Sequence, residues 1–299
     1  MGPSEPVRTG CTVPGTLREA QPLTRPAHRL DGHGHGRTAG MTEFQQRELL
    51  DVALAAARAA AAELQSRFGR RQDAVRTKSG PTDPVSDADL VAEAAIRAVL
   101  ADRRPDDAIL GEEGGSTGAG ELRWVVDPLD GTVNFLLGIP TFGVSVACED
   151  AAGALAAVVI DPIRDECFAA TRSGTPTLNG EPIHGSSRAD LSMAMVATGF
   201  AYDPTLRARQ AAVVARVLPR VRDIRRAGAA SLDLCWSACG RYDAYYERGL
   251  HAWDLAAGSL IASRAGLEIR ELVATDEQPD GVVVAPTGLI DELFGLVAG

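Results

Sequence analysis

The segment from Trp124 to Phe135, Trp-Val-Val-Asp-Pro-Leu-Asp-Gly-Thr-Val-Asn-Phe, constrains this chain more than any other. Val125 and Val126 favour a buried strand, and Pro128 and Gly131 mark the turn expected to end it. Asp127 then stands at the strand end, Asp130 follows three residues later, and Gly131-Thr132 is suited to opening a helix. Two carboxylates are thereby projected beside backbone N–H groups that a helix start leaves without partners. That arrangement can hold a hard cation through aspartate oxygens and a phosphate at a helix N-terminus. Taken alone, Asp-Pro-x-Asp-Gly reads equally well as an Asp-rich turn solvated at the surface.

The rest of the chain supplies context. Residues 1–40 carry Pro3, Pro6, Pro14, Pro22 and Pro26 and the run Gly32-His33-Gly34-His35-Gly36, without helical or strand periodicity. They are expected to be a disordered extension, with Met41 as the native start and no metal role for His33 and His35. Thr42-Glu43-Phe44-Gln45 is a capping-box pattern that opens a long helix to about Phe68. A polar connection containing Lys78 and Asp83 follows, then a helix from Ser86 or Asp87 with Val91, Ala95 and Val99 on one apolar face. Strands are expected around Ile109-Leu110 and over residues 123–126, 142–148, 154–160 and 166–170, so residues 41–187 read as an α+β half. Residues 188–299 read as an α/β half. Strands are expected there at 195–198, 244–246 and 281–285, and helices at 206–218, 232–238, 254–265 and the C-terminus. No internal repeat is visible.

Composition narrows the function. No tract approaches the roughly 20 apolar residues of a membrane span. The longest, around residues 52–64, is mostly alanine and is interrupted by Arg58 and Glu63. A net charge of −10 argues against nonspecific nucleic-acid binding, and it fits a phosphate site only if cations are bound there. The 5 cysteines are odd in number and lack a disulfide framework. Cys235 and Cys239 have no further zinc ligands nearby and read as small buried side chains, which fits a reducing, cytoplasmic setting.

Two further carboxylates stand out. Glu112 lies in Gly111-Glu112-Glu113-Gly114-Gly115, directly after a short strand. Asp254 lies in Trp253-Asp254-Leu-Ala-Ala-Gly258 at an expected helix start, where the small residues let another backbone approach closely. Singly, Glu112 reads as a surface-loop residue and Asp254 as an N-cap. No Ser or Cys sits in a nucleophile-elbow context, the histidines are too dispersed for a triad, and His251 reads as a packed or capping residue.

Together, Gly111-Glu112-Glu113, Asp127-Pro-Leu-Asp-Gly-Thr-Val-Asn-Phe135 and Trp253-Asp254-Leu-Ala-Ala-Gly258 resemble the signature of the inositol monophosphatase family, in order and in register from Met41 to Gly299. The resemblance implies a layered α-β-α-β-α sandwich of the kind shared with fructose-1,6-bisphosphatase, and a homodimer. It implies an Mg²⁺-dependent, Li⁺-sensitive phosphomonoesterase that hydrolyses inositol monophosphate with metal-activated water. Histidinol phosphate and fructose 1,6-bisphosphate are the rival substrates, and a non-catalytic metal-binding regulator is the rival of a different class.

The same resemblance assigns roles by position. Glu112, Asp127 and the Leu129 carbonyl would ligate one Mg²⁺, and Asp127, Asp130 and Asp254 a second. Asp89 would serve a third through water, with Asp87 left to support the helix start. Glu112 and Thr132 would orient the attacking water with help from Asp89, and the N–H groups of Gly131 and Thr132 would hold the phosphate. Asp130, Ala230, Glu247 and Asp254 would face the alcohol, and Lys78 would sit at the rim. Ala229 stands where relatives often carry Ser or Thr, so one polar contact is expected to be missing. The metals are a physical requirement: a like-charge pair at ~4 Å costs about 4 kcal/mol at an effective dielectric near 20.

Overall fold

The capping box at Thr42 forms as the sequence predicts. Thr42 Oγ1 accepts from Gln45 N at 3.3 Å, and Gln45 Oε1 accepts from Thr42 N at 2.9 Å, opening helix α1 (Glu43–Arg67). The computed structural model describes residues 41–70, 75–77 and 84–299, and Met41–Gly299 make up one unit by internal contacts. The expectations for residues 1–40, His33, His35, Lys78 and Asp83 lie outside the described residues. A short hairpin of β1 (Val75–Thr77) and β2 (Pro84–Ser86) leads into helix α2 (Asp87–Arg103).

The first large sheet is built from β3 (Ala108–Gly111), β4 (Gly115–Thr117), β5 (Arg123–Asp130), β6 (Gly143–Asp150), β7 (Gly153–Asp161), β8 (Glu166–Thr171), β9 (Thr177–Leu178) and β10 (Glu181–Pro182). The strand order is β10-β9-β8-β7-β6-β5-β3-β4, antiparallel except for the β3–β5 pair. The five-residue helix α3 (Thr132–Leu136) lies between β5 and β6. The second sheet contains β11 (Met195–Thr198), β12 (Asp223–Arg225), β13 (Ala244–Arg248), β14 (Glu268–Leu272) and β15 (Gly281–Ala285) in the order β12-β11-β13-β15-β14. Helices α4 (Pro204–Val217), α5 (Ala230–Ala238), α6 (Ala252–Arg264) and α7 (Thr287–Ala298) complete the chain.

Strand alternation dictates the layers. Val144, Val146 and Cys148 on β6 and Val158 and Ile160 on β7 point into a core with Leu64 of α1 and Ile96 of α2. Their neighbours Ala147, Ala157 and Val159 point the other way, into a core with Leu234 of α5 and Ile261 of α6. Tyr245 and Val284 of the second sheet close that middle core from the far side. Tyr246 and Val283 face outward onto Val213 of α4 and Leu293 of α7. A period of two on strands buried on both faces therefore generates an α-β-α-β-α sandwich. Among the described residues no helix is long and apolar enough to cross a membrane.

Candidate metal and phosphate site

The strand expected to end at Asp127 continues to Asp130. Asp127 pairs with Ser145 and Asp130 with Gly143, so two residues on β5 oppose one on β6 and the register shifts between them. Pro128 has no N–H to give the ladder, and Leu129 N donates to Asp127 Oδ1 at 3.0 Å. The result is a β-bulge, a device that re-aims side chains beside functional sites. It turns the Asp130 carboxylate toward the start of α5, where Ser231 N donates at 2.7 Å, Ser231 Oγ at 2.5 Å and Ala230 N at 3.2 Å.

Gly131 then reverses the chain at φ +96°. A Cβ there would lie 3.1 Å from Thr141 O and 3.3 Å from Gly228 O, so both conformation and space select glycine. Thr132 Oγ1 lies 2.9 Å from Asp89 Oδ1 and 3.1 Å from Leu129 O, which share its proton. Asp89 Oδ2 accepts from Ser86 N at 2.8 Å and Ser86 Oγ at 2.7 Å. Asp89, the buried third residue of α2, thereby completes a capping box with Ser86, and Asp87 is the exposed first residue of the helix, an acidic group in its first turn. Asp89 ties the start of α2 to the start of α3.

Asp254 is the third residue of α6 rather than its N-cap, and its Oδ2 accepts from His251 N at 2.6 Å. The His251 ring stacks on Trp253 with centroids 4.8 Å apart. The small residues after Asp254 accommodate a side chain rather than a backbone: a Cβ on Gly258 would meet Leu234 Cδ1 of α5 at 2.6 Å. Ser145, opposite Asp127, donates from Oγ to Trp253 O at 3.1 Å. Strand β5 and helix α6 together bring one oxygen each of Asp127, Asp130 and Asp254 within 4.8 Å of one another.

Those carboxylates are buried to different degrees: Asp127 is 1% exposed, Asp130 is 8% exposed, and Asp254 is half-buried. Burial, then the charges of Glu112, Asp130 and Asp254, hold the Asp127 carboxyl well above the usual range. Asp130 is pushed up to about 7, by burial first and by Asp254 second, against the Ser231 hydrogen bonds that favour its charged form. Glu112 sits between β3 and β4, anchored by its N–H to Val126 O at 3.3 Å, and its side chain shares a hydrogen bond with Asp127. A desolvated all-carboxylate set of this kind is stabilised by a bound cation, and its oxygen-only donors suit Mg²⁺, Mn²⁺ or Ca²⁺ rather than zinc. The residues fit a hard divalent ion.

Glu247 faces the same cluster. Burial pushes it up to about 7, Asp254 and Asp130 add to the shift, and Tyr245 OH donates to Glu247 Oε2 at 2.7 Å. Gly199 leaves the room: a Cβ there would fall 2.0 Å from Glu247 Oε2. Ala230 is beside the cluster, but its N–H is engaged by Asp130. Ala229 brings no polar side chain, and Ser231 two residues on supplies one, bonded to Asp130. In the sequence Ser231 is a lone small polar residue just before the expected helix and carries no chemical signal. Ser145 is silent for a similar reason, as a small residue within a strand.

The inositol monophosphatase family profile matches residues 45–295. The chain belongs to the inositol monophosphatase family. Inositol-1-monophosphatase SuhB of Mycobacterium tuberculosis is 44% identical over 242 residues, 77% of this chain and 83% of that protein. The Nus factor SuhB of Pseudomonas aeruginosa is 42% identical over 241 residues, 77% of this chain and 87% of that protein. Among solved structures, the extragenic suppressor protein suhB of Bartonella henselae superposes with a TM-score of 0.78 at 34% identity, covering 84% of this chain and 98% of that one. Inositol monophosphatase from Anabaena gives 0.72 at 31% identity, covering 84% and 95%. The family and the layered fold expected from the three motifs therefore hold.

Proposed function

We propose that this family member is an Mg²⁺-dependent phosphomonoesterase that converts inositol monophosphate and water to inositol and phosphate. The observation that supports this most is the convergence of Asp127, Asp130 and Asp254 beside the left-handed turn at Gly131. Glu112, Asp127 and the Leu129 carbonyl would hold one Mg²⁺, and Asp127, Asp130 and Asp254 another, with Asp89 serving a third through water. When bound, the ions supply positive charge to phosphoryl oxygens, acidify water and stabilise a leaving alkoxide.

The protein groups divide the remaining work. The N–H groups at the start of α3 receive the phosphate, with the short helix limiting its dipole and leaving most of the attraction to the cations. Thr132, oriented by Asp89 and flanked by the Leu129 carbonyl, accepts a hydrogen bond from the attacking water, and Glu112 takes up its proton. Asp130 and Glu247 accept hydrogen bonds from hydroxyls of the alcohol, with Tyr245 fixing the glutamate. Reaction proceeds by in-line displacement without a covalent nucleophile. We assign the working enzyme to the cytoplasm, as a homodimer. The described cysteines Cys148, Cys167, Cys235 and Cys239 are all free, which fits a reducing compartment.

The test is phosphate release from inositol 1-phosphate, glycerol 2-phosphate, histidinol phosphate and fructose 1,6-bisphosphate, with and without Mg²⁺ and Li⁺. Highest kcat/KM on the inositol ester, with dependence on Mg²⁺ and inhibition by Li⁺, is expected. A higher value on histidinol phosphate or the bisphosphate would reassign the substrate. A second, regulatory reading follows from relatives named Nus factor at comparable identity. It predicts Mg²⁺ binding without turnover on any ester of the panel.

A further inference from the structure

Helix α2 carries a second buried carboxylate one turn after Asp89. Glu93 is 3% exposed and shares the helix face that buries Asp89, Ala92 and Ile96. It does not point into the carboxylate cluster. Glu93 Oε2 accepts from Glu113 N at 2.7 Å and Oε1 from Gly114 N at 2.8 Å. These are the two residues that follow Glu112 at the tip between β3 and β4. Arg97, the next turn of the helix, donates from Nε to Glu93 Oε1 at 2.7 Å, from a terminal nitrogen to Gly115 O at 2.8 Å and from the other to Thr117 Oγ1 at 3.0 Å.

The tip is shaped around this pair. A Cβ on Gly111 would lie 2.5 Å from Glu93 Oε1, and one on Gly114 would lie 2.6 Å from the same oxygen and 2.8 Å from an Arg97 terminal nitrogen. Glycine on both sides of Glu112-Glu113 thus lets the carboxylate reach the backbone itself. On its other side Glu112 is tied to β5 through Val126 O, next to Asp127. One face of α2 therefore sets two points of the site: Asp89 holds Thr132, and Glu93 holds the loop of Glu112.

We infer that Glu93 is a positioning residue that clamps the Glu112 loop through the Glu113 and Gly114 amides and so sets the affinity of the site for its divalent cation. The inference rests on the metal-ligand role proposed for Glu112. Removing the clamp leaves Glu112 its chemistry and its tie to Val126 O but frees the backbone at Glu113 and Gly114 just after it. The cost therefore falls on cation capture more than on turnover once the cation is bound. Outer-shell partners of metal ligands typically govern about 10–100-fold in affinity.

The experiment measures Mg²⁺ binding to the full chain by calorimetry, the Mg²⁺ dependence of turnover, and amide exchange at Glu113 and Gly114. Glu93→Gln is expected to weaken Mg²⁺ binding roughly tenfold, to leave kcat at saturating Mg²⁺ within a few-fold, and to speed exchange of both amides. Gly114→Ala, which crowds the carboxylate from the loop side without touching the helix, should move the same readouts in the same direction. The double variant Glu93→Gln/Glu112→Gln should bind no more weakly than Glu112→Gln alone, because both changes act through one ligand. If Glu112→Gln weakens Mg²⁺ binding while Glu93→Gln and Gly114→Ala do not, the positioning role is overturned and the metal reading stands. If Glu112→Gln itself leaves binding unchanged, both fall. A lowered thermal midpoint with unchanged Mg²⁺ affinity would make Glu93 merely structural and overturn the inference.

Discussion

Ser145 on β6 donates its hydroxyl to the carbonyl of Trp253, the residue before Asp254, at 3.1 Å. Ser145 is also the cross-strand partner of Asp127. One small side chain therefore fixes the start of α6 against the strand bearing the other proposed ligands, between segments more than a hundred residues apart. Ser145→Ala removes that tie, costing about 1 kcal/mol of stability. The Mg²⁺ concentration for half-maximal activity should rise several-fold, as measured by phosphate release across an Mg²⁺ titration. An unchanged Mg²⁺ requirement would show that packing alone places Asp254.

Asp127→Asn removes the ligand proposed to serve two cations. Turnover should fall below detection while the far-ultraviolet circular dichroism stays that of the parent. Since the Asp127 charge is opposed by burial and by three neighbouring carboxylates, the variant's metal-free thermal midpoint should equal or exceed the parent's. Parent-like turnover at saturating Mg²⁺ would refute the site.

Gly131→Ala tests the reversal that presents the amides proposed to receive the phosphate. The new Cβ meets Thr141 O and Gly228 O in a left-handed backbone, a combination costing roughly 1–3 kcal/mol. Denaturant unfolding should report that loss, and kcat/KM should fall at least tenfold because the amides move. A stable variant with full activity would place the phosphate elsewhere.

The pH dependence has a defined sign. Asp130 and Glu247 titrate near 7 in the folded chain, above the ordinary carboxylate value of the unfolded one, through burial first. Between the two values the folded state binds more protons, so metal-free stability is greatest at the acid end of this window and declines as pH rises through 7. Mg²⁺ competes with those protons, so its affinity should rise, and its stabilisation grow, over the same range. Thermal melts with chelator and with Mg²⁺ between pH 5 and 8 should diverge towards the alkaline side; parallel curves would contradict the shifts.

Glu247→Gln keeps the Tyr245 contact in shape but removes the charge proposed to face the alcohol. Activity on inositol 1-phosphate should drop more than activity on glycerol 2-phosphate. Equal losses on both esters would mean that Glu247 serves the site's electrostatics rather than substrate choice.

Much of this protein is legible in its residues. The capping box at Thr42 and the main strands and helices require only local chemistry and periodicity. The layers, the family and the roles of the acidic residues follow instead from the resemblance of the three carboxylate motifs, taken in order, to the inositol monophosphatase signature. Edge strands such as β14 (Glu268–Leu272) and β12 (Asp223–Arg225) are not legible in the sequence, since their mixed polar residues carry little apolar signal. In sequence alone the bulge after Asp127 looks like a strand end, because proline and glycine mark both.

The sequence by itself determined which groups could carry charge and which could bend the chain. Tertiary structure decided what each is held by: Asp130 by Ser231, Asp89 by Ser86 and Thr132, the Glu112 loop by Glu93, and Asp254 beside Asp127 through Ser145. Most of these contacts join residues distant in the chain. Their geometry follows from sheet register and helix docking, which no local pattern encodes.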